Sequence, residues 1–379
     1  MHPTDRLQGE TPERLTERFG AALTLPEARR IIAHVVQRGG DSLLGVQQLR
    51  TTARKLVEAE LPVGHVTILE RSASQEDPFV KFAVALPDGA VVETVRIPLE
   101  RAGRFVVCVS SQVGCAMGCA FCATGMMGLS RNLEAWEIVE QVRLVATELR
   151  ATGEGRVHGV VFQGMGEPLH NLDNVLQAIE MISNPCGLAV DARNVTVCTV
   201  GIVPGIERLA SMRTRIRLGI SITSAQTALR RSLVPMEGRY PIAEVVAAAK
   251  RFHERSGRLV MFAYALMGGV NTTDAEADAL AELLKQMPAR LSLIDWNPVA
   301  GLPYRPPTAE ERDRFHDRLA GMGVPVIRRY SGGKDIGAAC GQLATESKRK
   351  TRPRHRHPAA SGTDPDPDDA EPGISSDIE

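Results

Sequence analysis

The chain has 379 residues, 43% hydrophobic and 24% charged, which excludes a fibrous or wholly disordered protein and suffices for one large domain or a large and a small one. Its 45 basic and 45 acidic side chains cancel, so bulk electrostatics alone argue against a polyanionic partner. The first residues lack the apolar core of a leader, and no run of about 18 apolar residues follows, so a cytoplasmic protein with no membrane partner is expected.

Apolar residues recur at three- and four-residue spacing from about residue 10 to 62, as in PEARRIIAHVVQRG and SLLGVQQLRTTARKLVEAEL. Residues 1–62 are therefore expected to form a small N-terminal helical domain. The period shortens over 63–100, where HVTILERSAS, FVKFAVALPDG and VVETVRIPL read as a short antiparallel β extension and linker, with a hairpin turn at Pro87-Asp88-Gly89. From 101 to 345 strand-like and helical runs alternate: six β/α units, from RFVVCVS to AEERDRFHDRLAGMG, precede a last strand, VPVIRR. Such repeats imply an α/β fold with a parallel sheet and chemistry at the carboxyl ends of its strands. Six units predict a partial (β/α)6 barrel.

Residues 346–379 hold six basic and eight acidic side chains among Pro, Gly and Ser. Too polar to form a core, this segment is expected to be a disordered charged tail. Without its net −2 the body carries about +2, so overall neutrality conceals local patches and gives no ground to exclude nucleic acid.

Of seven cysteines, Cys108, Cys115, Cys119 and Cys122 fall within 15 positions, while Cys186, Cys198 and Cys340 are scattered. In a cytosolic chain of this size the cluster reads as a metal site rather than a disulfide scaffold. Three thiolates spaced C-x3-C-x2-C, in the loop after the first barrel strand, can each bind one iron of a [4Fe–4S] cluster and leave the fourth iron open to a ligand. Zinc is the alternative, but it needs a fourth Cys or His, and neither His158 nor His170 stands at ligand spacing.

The C-x3-C-x-F-C motif on that loop resembles the radical S-adenosylmethionine (SAM) enzymes, which implies that one [4Fe–4S] cluster on Cys115, Cys119 and Cys122 binds and cleaves SAM. Five further segments narrow the resemblance to the RlmN/Cfr family of RNA adenine methyltransferases: Cys108-Val-Ser-Ser-Gln-Val-Gly-Cys115, Ser130-Arg131-Asn132-Leu133, Gly164-Met165-Gly166-Glu167-Pro168-Leu169, Asp295-Trp296-Asn297-Pro298 and Ala338-Ala339-Cys340-Gly341-Gln342-Leu343. They run in family order from about residue 90 to 345.

The resemblance implies roles residue by residue. Cys340 takes a methyl group from a first SAM and becomes S-methylcysteine. A second SAM yields the radical that activates this methyl for addition to adenine. Cys108 releases the product through a transient disulfide with Cys340, and Glu93 accepts the proton. Gly166, Glu167, Cys198, Ser221, Thr223 and Asn297 fall at SAM contacts, although Cys198 and Thr223 stand where the family often has Ser and His.

The implied substrate is an adenine ring carbon, carbon 2 favoured, of 23S ribosomal RNA, with tRNA a further candidate. The implied partners are RNA and an electron donor such as flavodoxin, and the enzyme is expected to be a monomer. Methylation at carbon 8, conferring antibiotic resistance, is the same-chemistry alternative. A small-molecule radical SAM enzyme would not need both Cys108 and Cys340, and a non-catalytic Fe–S or zinc RNA-binding module is a different class. Seven of the 45 basic residues are Lys and the rest Arg, a side chain suited to phosphate and stacked bases. Arg29-Arg30 and Arg50/Arg54 on the N-terminal helices, with Arg230-Arg231 and Arg328-Arg329 near the barrel, are expected to meet RNA whose target adenine is flipped out.

Overall fold

The computed structural model describes residues 5–212 and 214–344, so the expected tail at 346–379 lies outside the described residues. Thr11 accepts a hydrogen bond from the Arg14 amide and Pro12 occupies the first turn of α1 (Pro12–Phe19). A Thr24–Glu27 capping box opens α2 (Leu25–Ile32), which continues as a wide π-type turn over Ala33–Gln37.

The helix expected from Ser42 starts only at α3 (Thr51–Glu60), and residues 42–50 are turns and bends. The chain there wraps around the His34 imidazole, so closely that a Cβ at Gly40 or Gly45 would lie 2.3 or 2.6 Å from ring atoms. Leu43 and Val46 are buried, so their spacing reports burial without helicity. The N-terminal region is closed on itself by the Gln8 amide, which exchanges hydrogen bonds of 2.7 and 2.8 Å with the Gly64 backbone. It packs on the barrel, where the Gln177 side chain donates to the Gly9 carbonyl at 2.9 Å, and its apolar residues belong to the same continuous core as those of the sheet.

Strands β1 (Thr67–Ala73), β2 (Val80–Ala85) and β3 (Val91–Pro98) form an antiparallel ribbon, and β3 pairs antiparallel with β4 (Arg104–Cys108). A separate hairpin follows, β5 (Gln112–Cys115) with β6 (Gly128–Asn132), enclosing the one-turn α4 (Ala123–Met126). The chain then alternates: α5 (Ala135–Thr152), β7 (Arg156–Phe162), α6 (Leu172–Ser183), β8 (Val195–Thr199), α7 (Val203–Ser211), β9 (Arg217–Ser221), α8 (Thr227–Leu233), α9 (Ile242–Ser256), β10 (Val260–Leu266), α10 (Asp274–Leu284), β11 (Ala289–Asp295), α11 (Ala309–Gly321) and β12 (Val326–Arg328).

Among the described residues one sheet has the order β1-β2-β3-β4-β7-β8-β9-β10-β11-β12. Within this sheet the pairings from β4 to β7 and on to β12 are all parallel. The expected partial barrel of six β/α units and a last strand is therefore present, with the β extension continuing its sheet rather than standing apart. Val107, Val160, Val197, Ile220, Phe262 and Leu293 are buried on its strands, as helix-covered parallel sheets require. No helix among the described residues is long and apolar enough to cross a membrane.

One buried charge ties neighbouring loops. Arg230, on α8, is fully buried. Its guanidinium donates to the Ile222 carbonyl at 3.1 Å and the Val200 carbonyl at 2.7 Å and pairs with Glu237. The expectation that Arg230 meets RNA is thereby corrected: its charge is spent inside, holding the loops after β8 and β9. Replacing Arg230 by Met leaves Glu237 buried and unpaired and should cost about 3–5 kcal/mol, measured by denaturant unfolding; a loss below about 1 kcal/mol, the range of an exposed pair, contradicts this role.

Candidate active site

The carboxyl ends of the parallel strands open onto a cavity of about 160 Å³. Cys115, at the end of β5, Cys119, in the following turn, and Cys122, which caps α4, form part of its wall. Burial raises all three thiols, Cys115 to about 12. Backbone N–H groups of Met117 and of Thr124 and Gly125 point at the sulfurs of Cys115 and Cys122 and favour the thiolates. Such sulfurs stay protonated unless a metal takes the proton's place. Among the described residues no three metal-ligating side chains converge on a single ion, whereas a cubane takes each thiolate on a different iron. The donor set thus fits a cluster held on three thiols.

The Trp296 indole N–H donates to the Phe121 carbonyl at 2.9 Å and fixes the cysteine loop from β11. The Ser130–Leu133 motif proves structural. Arg131 grips Glu137 at 2.7 and 2.9 Å and Asp88 at 2.7 Å, locking β6 to the start of α5.

Gly166, Glu167, Cys198, Ser221 and Asn297 line the same cavity, whereas Thr223 does not. Gly166 has φ 102°, and a Cβ there would lie 2.6 Å from the Gln112 side chain, so this approach needs glycine. Burial raises the Glu167 carboxyl to about 7 although its two oxygens accept the Leu169 and Val200 amides at 3.0 and 2.9 Å. Asn297 donates to Ser331 Oγ and the Cys340 carbonyl at 2.9 and 3.1 Å, and its buried Oδ1 has no partner. An orphaned acceptor and a raised carboxylate facing one cavity fit a ligand rich in N–H and O–H donors, as SAM is. Thr223 instead lies buried with φ 64°, its carbonyl accepting from Asn271 at 2.8 Å and its hydroxyl without a partner.

Cys340 also lines the cavity, while Cys108 is buried at the end of β4; both are free thiols. Burial pushes the Cys108 thiol up, nearby Cys340 and Cys198 add to this, and Arg329 opposes it. Cys198, lining the cavity, is raised to about 12 by burial, again opposed by Arg329. Cys186 does not line this cavity.

Glu93, on β3, is buried and pairs with Lys81 Nζ at 3.1 Å. The sequence reading missed Lys81, whose signal was a lone cation within the otherwise apolar strand VKFAVA. It also missed Gln112, whose Oε1 accepts the Glu167 amide at 2.8 Å.

Of the other arginines expected to meet RNA, Arg50 is committed to Glu27 and the Ala22 carbonyl at 2.8 and 2.9 Å. Arg30 reaches the Gln48 carbonyl at 3.2 Å, and Arg328 pairs with Asp313 at 2.8 Å. Arg29 and Arg54 make looser pairs at 3.9 Å with Glu13 and Glu58, and Arg231 is exposed.

The family model described as Radical SAM superfamily matches residues 109–284. A probable RNA methyltransferase of Sorangium cellulosum is 48% identical over 370 residues, covering 90% of this chain and 93% of its own. A dual-specificity RNA methyltransferase RlmN of Anaeromyxobacter is 39% identical over 350 residues, covering 91% and 89%. Among solved structures, a radical SAM methyltransferase from Sphaerobacter thermophilus superposes with a TM-score of 0.84 at 38% identity, over 89% of this chain and 99% of its own.

The Glu167 carboxyl yields a pH test. Its folded pKa of about 7 stands above the ordinary value of 4.5. Folded-state stability from the neutral carboxyl is therefore fully present below pH 4.5 and is lost as pH rises through about 7. A contact between this carboxyl and a ligand amino group would favour the ionised form, and SAM affinity would then rise about tenfold from pH 6 to 8, read by calorimetry on anaerobically reconstituted protein. Glu167→Gln should flatten much of that rise; an identical pH profile in this variant counts against the contact.

Proposed function

The chain belongs to the RlmN/Cfr family of radical SAM RNA methyltransferases, and we propose that it methylates carbon 2 of an adenine in 23S ribosomal RNA, and in tRNA, through an S-methylated Cys340. The observation that carries this reading is the placement of Cys340 on the cavity it shares with Cys115, Cys119 and Cys122, with Cys108 buried nearby. The word dual-specificity in the name of the Anaeromyxobacter relative supports two RNA substrates. A cytoplasmic monomer served by a flavodoxin-type electron donor completes the proposal.

When bound, one [4Fe–4S] cluster on Cys115, Cys119 and Cys122, with two SAM molecules per turnover, supplies a methyl group and a hydrogen-abstracting radical. The chain's own residues do the rest. Gly166, Glu167, Cys198, Ser221 and Asn297 hold SAM from the strand ends, and the loop of Thr223 backs them. Cys340 carries the methyl carbon as a thioether and stays bonded through it to adenine, a form of covalent catalysis. Glu93, steadied by Lys81, takes the proton from the adenine ring carbon, and the one unpaired electron this leaves on the ring would return to the cluster, so that the adduct is a closed-shell thioether. Cys108 then attacks the Cys340 sulfur: a disulfide forms, the carbon–sulfur bond breaks, and its electron pair returns to the departing carbon, which picks up a proton to become the methyl.

Cys340→Ala should lose RNA methylation to below about 1% of the wild-type level, since no other thiol occupies the carrier position, while still cleaving SAM. Nucleoside mass spectrometry of treated RNA reads both the loss and the site. The expected product is 2-methyladenosine; 8-methyladenosine would reassign the chain to the resistance branch, and full methylation by the variant would overturn the mechanism.

A further inference from the structure

Cys340 has several encounters to make in one turnover, with the methyl donor, with adenine and with Cys108, so the segment that carries it must be both held and movable. That premise rests on the reading of Cys340 as methyl carrier. The segment runs from Tyr330 to Gly341, and Gly333, Gly337 and Gly341 all adopt positive φ. On its cavity side it is held by Asn297, which donates to Ser331 and to the Cys340 carbonyl, and by the Ala123 amide, which donates to the Gly341 carbonyl at 2.8 Å.

Its other side is held by a part of the chain far away in sequence, the turn between β1 and β2. Ser74 Oγ donates to Asp335 Oδ1 at 2.7 Å and the Gln75 amide donates to Asp335 Oδ2 at 2.9 Å. Asp77 Oδ2 accepts both the Tyr330 hydroxyl at 2.9 Å and the Gly333 amide at 2.8 Å. The Phe79 ring meets Tyr330 edge-on, centroids 6.3 Å apart. Gly332 lies so close that a Cβ there would be 2.4 Å from the Phe79 ring and 2.5 Å from Asp77 Oδ2. Lys81, at the start of β2, approaches the Gly337 carbonyl at 3.5 Å while paired with Glu93.

We infer that the β1–β2 turn is a clasp that positions the carrier segment, with Asp77 and Asp335 as its positioning residues. Its hydrogen bonds lie at the surface, where water competes for each partner. Such a clasp biases where Cys340 rests without locking it. Neither aspartate lines the cavity, so both act through the segment they hold and not on the reacting atoms. Lys81 extends the same contact inward and couples the segment's position to that of Glu93.

The test uses the full chain, anaerobically reconstituted, as wild type, Asp77→Ala, Asp335→Ala and Asp77→Asn. The Asn side-chain oxygen can still accept from Tyr330 and Gly333, so this variant serves as the conservative rescue. Hydrogen exchange of the peptide spanning 330–341 reads the clasp directly, and methyl groups transferred to RNA per 5′-deoxyadenosine released read its consequence. Both Ala variants should exchange about tenfold faster there and transfer about tenfold fewer methyl groups per deoxyadenosine, with iron content and unfolding midpoint kept. Asp77→Asn should recover most of both. Wild-type exchange and coupling in the two Ala variants would overturn the clasp. A wild-type enzyme that methylates RNA without ever methylating Cys340 would instead overturn the carrier reading, and accelerated exchange in the variants would still identify the clasp.

Discussion

Parallel pairing of β4 with β7 and of the strands from β7 to β12 is the constraint on which the site depends. A parallel strand cannot be reached by a tight turn, so each crossover must return along a helix to the same starting edge. All carboxyl ends then meet at one rim. That rim gathers Cys108 from β4, Glu167 from beyond β7, Cys198 from β8, Ser221 from β9 and Asn297 from beyond β11. Side chains scattered over roughly half the chain become neighbours without any specific long-range attraction between them.

Burial then sets what these groups can do. Water is kept from the thiols of Cys115, Cys119 and Cys122 and from Cys108, and each is held in its neutral form until a metal or a change in surroundings stabilises the thiolate. The same exclusion raises Glu167 to about 7, where ligand binding rather than solvent decides its charge. Buried Arg230 shows the complementary case, a charge kept ionised by an ion pair and two carbonyls and used to fix loops. The β extension adds Glu93 and Lys81 to the rim from outside the barrel proper, because β3 continues the sheet past β4.

The β/α alternation was legible because helix and strand periods differ and each unit is long enough to show its own. The β5–β6 hairpin and α8 were not, since each is too short for a period to emerge. Over residues 42–50 the apolar spacing misled, as Leu43 and Val46 point inward from a chain wound around His34 rather than from a helix. The cysteine spacing singled out three thiols that share one cavity wall, and family motifs pointed to the cavity residues, most of which line it. Arg230 could not be placed from sequence, because an Arg-Arg pair on a short helix reads the same whether one guanidinium is buried or both are solvated. The Asp77 and Asp335 contacts were equally unreadable: they join segments distant in sequence through single side chains that carry no local pattern.

The central claim is that Cys340 bonds covalently to its RNA substrate and that Cys108 releases it. The most direct measurement is intact-mass and peptide analysis of Cys108→Ala after reaction with RNA and SAM. The account predicts an RNA–protein adduct that survives denaturation and maps to Cys340. Free methylated RNA in wild-type yield, with no adduct and an unmodified Cys340, would contradict it.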